Sequence, residues 1–205
     1  TGTFDAAEED GEMLPEIVPF MDAEQAPVLR RALRQIKWKL GCKVEAIEGG
    51  TVKFTTKDGE AQSVEADLVL MAVGRRPNVS GFGAEKVGLD AGPKGVAVDE
   101  HMATNVPGIW AAGDVTGRSL LAHSAYRMAE VAVNHIIASL EGRGHGTERM
   151  RYDAIPWAVY SIPEAAGVGM TEQEAVAKGG AVKKTQLPLR LSGRFAAENG
   201  FAAQG

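Results

Sequence analysis

The segment Thr104-Asn-Val-Pro-Gly-Ile-Trp-Ala-Ala-Gly-Asp114, with Val115 to Met128 behind it, limits most severely what this chain can fold into. Ile109-Trp-Ala-Ala112 is a short apolar run bounded by Pro107-Gly108 and Gly113, which predicts a buried strand. Gly113 lets the backbone turn tightly where that strand ends. Asp114 then sets a carboxylate at the strand's C-terminal end, the side on which open α/β sheets bind their ligands. Beyond Gly117, the residues Leu120, Leu121, Ala125, Met128, Ala129, Val131, Ala132 and Ile136 recur with helical spacing. The predicted unit is strand, acidic turn, helix. A helix that begins at such a crevice points unpaired N–H groups and a partial positive charge into it.

These residues resemble the second flavin-binding motif of the pyridine nucleotide–disulfide oxidoreductases. The continuation Leu120-Leu-Ala-His123 narrows the resemblance to the dihydrolipoamide dehydrogenase branch. The resemblance implies that Asp114, turned out by Gly113, hydrogen-bonds a ribityl hydroxyl of FAD. It also implies that the backbone around Leu121, Ala122 and His123 faces the flavin N1/C2=O edge, where negative charge gathers on reduction. The fold class implied is α/β: incomplete Rossmann-like NAD- and FAD-binding domains, then the start of an α+β interface (dimerisation) domain.

Other stretches carry the same resemblance. Glu12-Met-Leu-Pro-Glu-Ile-Val-Pro19 is similar to a family segment whose leading glutamate binds the adenosine ribose of NAD. That role falls on Glu12, and an acid there favours NAD over NADP. Thr1 to Gly11 is acidic and lacks an apolar period, so no strand is predicted before Glu12. Gly74-Arg-Arg-Pro-Asn78 resembles the turn that closes the NAD domain against the nicotinamide. Ala72, Val73, Gly74 and Arg75 are the implied cofactor contacts, and Val44 matches an apolar position near the adenine.

Between these motifs the local pattern predicts elements. Asp22 caps a helix reaching about Leu40, with Val28, Leu29, Ala32, Leu33 and Ile36 on its apolar face and Gly41 ending it. Cys42–Ile47, Thr51–Thr56 and Gln62–Val73 read as strands joined by hairpin-type turns at Gly49-Gly50 and Asp58-Gly59. Ala66-Asp-Leu-Val-Leu-Met-Ala-Val73 is a near-continuous apolar run, as in a strand buried on both faces. Gly92-Pro-Lys-Gly95 marks a further hairpin. Glu141-Gly-Arg-Gly-His-Gly146 is a polar linker in which His145 reads as a solvated loop residue, and His135 as a satisfied or surface histidine.

From Tyr152 the chain resembles the opening of the family's interface domain. Trp157 to Tyr160 reads as its first strand, Thr171 with Glu174 as a capping box, and Arg190 to Phe195 as a later strand. The implied division is an unassigned acidic segment 1–11, the C-terminal part of an NAD domain 12–78, a returning FAD-domain segment 79–149, and an interface domain from 150 to 205.

Composition removes several classes. The net charge is −5 with both signs interspersed and no basic stripe, which argues against nucleic acid. No apolar run approaches the roughly 18–20 residues of a membrane span, no signal peptide is recognisable, and no residue cluster suggests a metal site. Those features point to the cytoplasm. One cysteine, Cys42, leaves no intrachain disulfide and reads as a small buried hydrophobe.

The family relays electrons from a dithiol through an active-site disulfide and FAD to NAD. Its partners are a lipoyl-bearing protein or free dihydrolipoamide, and it works as a homodimer. The cysteine pair, a G-x-G-x-x-G turn for the FAD pyrophosphate, and a His-Glu base pair are not found in this sequence. Two readings follow. The first is a part of a flavin-dependent dihydrolipoamide dehydrogenase, inactive by itself, with no catalytic residue of its own. The second is a non-catalytic remnant that binds a nucleotide or dimerises. Within the enzyme class, glutathione- or mercuric-type reductases are the alternatives, and Leu121-Ala-His123 argues against them.

Overall fold

The structure, a computed structural model, describes residues 8–200, with side chains from Met13 onward. In chain order the first elements are β1 (Glu8–Glu12), α1 (Ala26–Ala32), β2 (Ile36–Leu40), β3 (Lys43–Glu48), β4 (Thr51–Thr55) and β5 (Ala61–Glu65). The short strands β6 (Ala91–Gly92) and β7 (Gly95–Val96) follow, then α2 (Ala122–Leu140). The last are β8 (Trp157–Val159), β9 (Ala165–Gly167), α3 (Glu172–Ala177) and α4 (Gly193–Asn199). The chain divides into two compact units, Thr1–Gly41 with Met170–Gly205, and Cys42–Gly169.

In the first unit β1 and β2 run parallel, Glu8 opposite Ile36 and Glu12 opposite Leu40, with α1 between them in sequence. A strand therefore does lead to Glu12, contrary to the sequence expectation. Its residues Glu8-Glu-Asp-Gly-Glu12 carry no apolar alternation, and only the ladder to β2 makes them a strand. Residues 1–7 and the Glu12 side chain lie outside the described residues.

The helix expected from Asp22 to Leu40 is also corrected. Helix α1 stops at Ala32, and Leu33 leaves helical geometry at φ −85°, ψ 58°. The next stretch, Ile36-Lys-Trp-Lys-Leu40, alternates apolar and charged residues, a strand period that outweighs the helical spacing of Ile36. Gly41 accordingly follows a strand. Asp22 does not cap α1; Gln25 takes the N-cap position. The Asp22 Oδ1 instead accepts the Glu172 N–H at 2.7 Å, at the start of α3.

Thr171 and Glu174 close the predicted capping box. The Thr171 Oγ1 accepts the Glu174 N–H at 3.3 Å, and the Glu174 carboxylate accepts the Thr171 N–H at 2.8 Å. The strand expected at Arg190–Phe195 is instead a 3-10 turn, Leu189–Leu191, followed by α4. Ser192 is the reason, because its Oγ accepts the Phe195 N–H at 3.4 Å and starts a helix.

In the second unit β3, β4 and β5 form an antiparallel meander through the predicted turns at Gly49-Gly50 and Asp58-Gly59. The ladder ends with the Ala66 N–H donating to the Gly50 carbonyl at 2.8 Å. Beyond it the expected strand 66–73 does not form. Leu68, Leu70 and Val73 are 88%, 86% and 87% exposed. An apolar run becomes a buried strand only when neighbours bond its edges and cover its faces, and no strand among the described residues does so.

The hairpin β6–β7 forms at Gly92-Pro-Lys-Gly95 as predicted. The strand expected at Ile109–Ala112 is reduced to a single bridge, Ala103 opposite Trp110. It is tied by the Thr104 N–H to the Ile109 carbonyl and the Ala111 N–H to the Met102 carbonyl, each 3.1 Å. Helix α2 is the centre of this unit. Its buried face, with Met128, Val131 and Ala132, packs on Val98, Met102 and Met150. Trp110, Ala111 and Ala112 lie half-buried against that cluster, so the segment before Asp114 rests on the helix that follows it.

Candidate functional site

The chain crosses from the Trp110 segment into α2 through a turn built on close backbone approach. Gly113 adopts φ 81°, ψ −157°, and a 3-10 turn follows over Asp114–Thr116. The Thr116 N–H and hydroxyl both return to the Gly113 carbonyl, at 3.0 and 2.8 Å. The β6–β7 hairpin lies directly on this turn. A Cβ on Gly117 would overlap the Lys94 carbonyl oxygen, and one on Gly95 would overlap the Thr116 backbone. Two glycines thus let two main chains cross where no side chain fits.

Asp114 projects from the turn into solvent. Helix α2 begins at Ala122 with Leu121 as an extended N-cap and no side chain capping it. Its first N–H groups keep no intrahelical partner and carry the positive end of the helix dipole. Ser124 sets the entry angle, its Oγ donating to the Leu121 carbonyl at 2.7 Å and lying 2.7 Å from the Ser119 Oγ. The His123 ring is held by its Nε2, which donates to the Pro156 carbonyl at 2.7 Å. An exposed carboxylate and an uncapped long helix therefore stand on adjacent turns of chain. That combination suits a ligand bearing hydroxyls and a group that gathers negative charge.

Beside the helix start lies a cleft of about 330 Å³ lined in part by His123, Ser124, Arg127, Arg149 and Arg151. Asp114 does not line it. Its arginines are already paired. Arg127 bonds Glu148 and, at 3.0 Å, Glu130, while Arg149 lies 3.9 Å from Glu100 and Arg151 3.4 Å from Asp153. Those carboxylates cancel the cleft's positive charge. Across the approach to α2, the Arg118 guanidinium sits 5.4 Å from the centre of the Tyr152 ring. Burial pushes the Tyr152 hydroxyl above its ordinary value, with Arg118 opposing.

The residues expected at the nicotinamide cofactor are less organised. Ala72, Val73, Gly74 and Arg75 are exposed and outside any strand, and Val44 sits on β3, 43% exposed. Gly74 has φ 114°, a conformation that favours glycine. The structure assembles Gly113, Asp114, Leu121, Ala122 and His123 into one turn-and-helix unit and leaves 72–75 as an exposed segment outside any strand.

Two groups beneath the site, both named from the sequence, have partners that the sequence does not indicate. Met128, fully buried on α2, places its Sδ 3.2 Å from the Gly113 N–H. His135, on the same face, accepts the Trp110 Nε1–H on its Nδ1 at 2.9 Å. Helical spacing puts both on the buried face but says nothing of what they accept. His135 also meets His101 and His145, with ring centroids 5.1 and 5.2 Å away, and His145, exposed in its loop as expected, stacks against this pair. An indole nitrogen only donates, so neutral His135 carries its hydrogen on Nε2, which donates to the His145 Nδ1 at 3.1 Å. That nitrogen offers no lone pair to a cation. No group of histidine, cysteine or carboxylate ligands among the described residues could hold a metal ion.

No helix among the described residues is long and apolar enough to cross a membrane. Residues 12–129 match the pyridine nucleotide-disulphide oxidoreductase model, and residues 155–204 match the dimerisation domain of the same family. A dihydrolipoyl dehydrogenase of Cupriavidus necator is 38% identical over 90% of this chain and 40% of its own length. Dihydrolipoyl dehydrogenase 3 of Pseudomonas putida is 36% identical over 89% of this chain and 39% of its own. Among solved structures, LpdA of Mycobacterium tuberculosis superposes with a TM-score of 0.77 at 29% identity, over 93% of this chain and 41% of that one. The flavoprotein disulfide reductase RclA of Escherichia coli, 24% identical with a TM-score of 0.78, shares the fold over 97% of this chain and 44% of its own. The chain thus spans about 40% of the length of the curated relatives it matches. With its α/β motif matched along both models, this chain belongs to the pyridine nucleotide-disulphide oxidoreductase family.

Proposed function

We propose that this chain is part of a flavin-dependent dihydrolipoamide dehydrogenase and supplies the flavin-facing turn and helix, the NAD-domain closing segment and the start of the dimer interface. The family's cofactors are FAD and NAD(H). The observation that carries the reading is the Gly113–His123 unit, where an exposed carboxylate precedes an uncapped helix start. Asp114 accepts a hydrogen bond from a ribityl hydroxyl. The N–H groups at Leu121, Ala122 and His123 face the flavin edge that becomes negative, and the helix dipole favours that charge.

FAD, when bound, supplies the two-electron relay between a dithiol and NAD, giving a disulfide, NADH and a proton. The chain's own contribution is positioning. Glu12, Val44 and Ala72–Arg75 are the positions proposed to hold NAD. Residues 12–78 belong to the NAD domain, 79–149 to the FAD domain and 150–205 to the interface domain. A homodimer built on the last of these, a lipoyl-bearing protein or free dihydrolipoamide as partner, and a cytoplasmic setting complete the reading.

With one cysteine, the chain cannot form the redox disulfide from its own residues. The purified chain is expected to show no dihydrolipoamide-dependent reduction of NAD. FAD titration followed by flavin fluorescence should show binding that Asp114→Ala weakens. Activity of the isolated chain, or indifference of flavin binding to Asp114→Ala, would sink the proposal.

A further inference from the structure

The Trp110–Gly113 segment is hung on α2 by two side-chain acceptors. The His135 Nδ1 takes the Trp110 Nε1–H at 2.9 Å, and the Met128 Sδ takes the Gly113 N–H at 3.2 Å. The two acceptors are seven residues apart, about two turns, and so share one face of the helix. The Gly113–Met128 contact is buried, so a lost acceptor there leaves a donor unsatisfied, while the Trp110–His135 bond is half-buried. The segment has only one β-bridge of its own, so the side-chain acceptors supply much of what locates it.

We infer that Met128 and His135 are positioning residues that hold Asp114 in place through the Trp110–Gly113 segment, and that protonation of His135 releases the Trp110 end of this clip. The inference rests on the flavin reading above for its functional consequence, and on these contacts alone for its structural part. A protonated His135 carries hydrogens on both nitrogens. Its Nδ1–H then faces the Trp110 Nε1–H, two donors where a bond had been. The groups facing the ring are named by the elements around it. From the 99–103 turn come Asp99, which favours the charge, and His101, which opposes it. The His101 Nε2 lies 3.7 Å from Glu100, and its Nδ1 is 2.7 Å from the Glu148 carbonyl. From the 141–146 loop comes His145, which also opposes the charge. Burial opposes the charge more than either histidine does. The clip is therefore closed at neutral pH and opens in acid.

The test uses the chain itself with three readouts, each compared between pH 7.5 and 5: the Trp110 indole N–H resonance, the Gly113 amide exchange rate, and FAD affinity by fluorescence. In the wild type, acid should shift the indole resonance and weaken FAD binding about fivefold to tenfold, the range one lost hydrogen bond gives. His135→Asn keeps an acceptor near the Nδ1 position and cannot titrate, so both readouts should hold their neutral values in acid. His135→Phe should show the weakened affinity at both pH values. Met128→Leu keeps the volume, loses the acceptor, speeds Gly113 exchange and weakens FAD at both pH values without altering the acid step. The wild-type acid step needs no variant to fold. An indole resonance indifferent to acid, an acid step that persists in His135→Asn, or Gly113 exchange unchanged in Met128→Leu would overturn the inference. Absence of FAD binding in every form would refute the flavin reading instead, leaving the indole and exchange readouts to decide the clip.

Discussion

Gly117→Ala tests whether the turn at the candidate site is fixed by backbone crossing. Gly117 has φ +64°, and a Cβ there would overlap the Lys94 carbonyl oxygen. Gly59 has φ +83° with nothing within 4 Å of where its Cβ would lie. Both positions lie in the same compact unit. An alanine at either one incurs the left-handed backbone penalty of about 1–2 kcal/mol. Both also gain a few tenths to about 1 kcal/mol from the stiffer unfolded chain. These two contributions nearly cancel when the variants are compared. What remains is the overlap with a main-chain carbonyl, which no rotamer relieves. Overpacking of that kind costs about 1–3 kcal/mol. Gly117→Ala should therefore unfold at a urea midpoint lower than Gly59→Ala by about 1 M, given a slope of about 1–3 kcal/mol per M. Circular dichroism measured across a urea series reads both midpoints. Equal midpoints, or a milder effect at Gly117, would refute the reasoning, because the hairpin would then be free to move off the turn.

Other outcomes follow from single contacts. Thr171→Ala removes the hydroxyl that caps α3 and should lower stability by about 1 kcal/mol in a denaturation series, while Thr171→Ser should restore it. The Thr171 N–H and hydroxyl hold the Glu174 carboxylate below its ordinary value, so the capping box should weaken only in acid, as that carboxylate takes a proton; protection of the Thr171 amide from exchange, read down to pH 3, checks it. Burial first, then His101 and His145, hold His135 below its ordinary value of 6.5 against the pull of Asp99. The unfolded chain then takes the proton first, so the stability of this unit should decline as pH falls from about 6.5 until His135 is protonated in the folded state. Urea midpoints at pH 7.5 and 5 should differ in the wild type and differ less in His135→Asn. The opposite sign would refute the assignment of a neutral buried histidine.

The turn-forming pairs Gly49-Gly50 and Asp58-Gly59, the Gly92-Pro-Lys-Gly95 hairpin, the Thr171–Glu174 capping box and α2 were legible in the chain because each depends on residues a few positions apart. The family itself was legible because its motifs are contiguous. Two of the misreadings, at Glu8–Glu12 and Ala66–Val73, turn on pairing between distant segments. Ile36–Leu40 carries a strand alternation inside an apparent helical spacing, and Glu8–Glu12 pairs with it despite having no apolar pattern. Ala66–Val73 has the pattern of a buried strand and stays exposed for want of a ladder. Parallel pairing is a bond between distant segments, and nothing local encodes it.

The same division holds at the candidate site. The order of residues alone determined that a carboxylate at 114 follows a glycine turn and precedes a long amphipathic helix. Only the tertiary structure decided that the Met128 sulfur and the His135 nitrogen reach back to the segment before that turn, and that His101 and His145 close around His135. Periodicity tells which face of a helix is buried. Which donor a buried acceptor meets depends on where a separate stretch of chain comes to rest, and that is settled by packing.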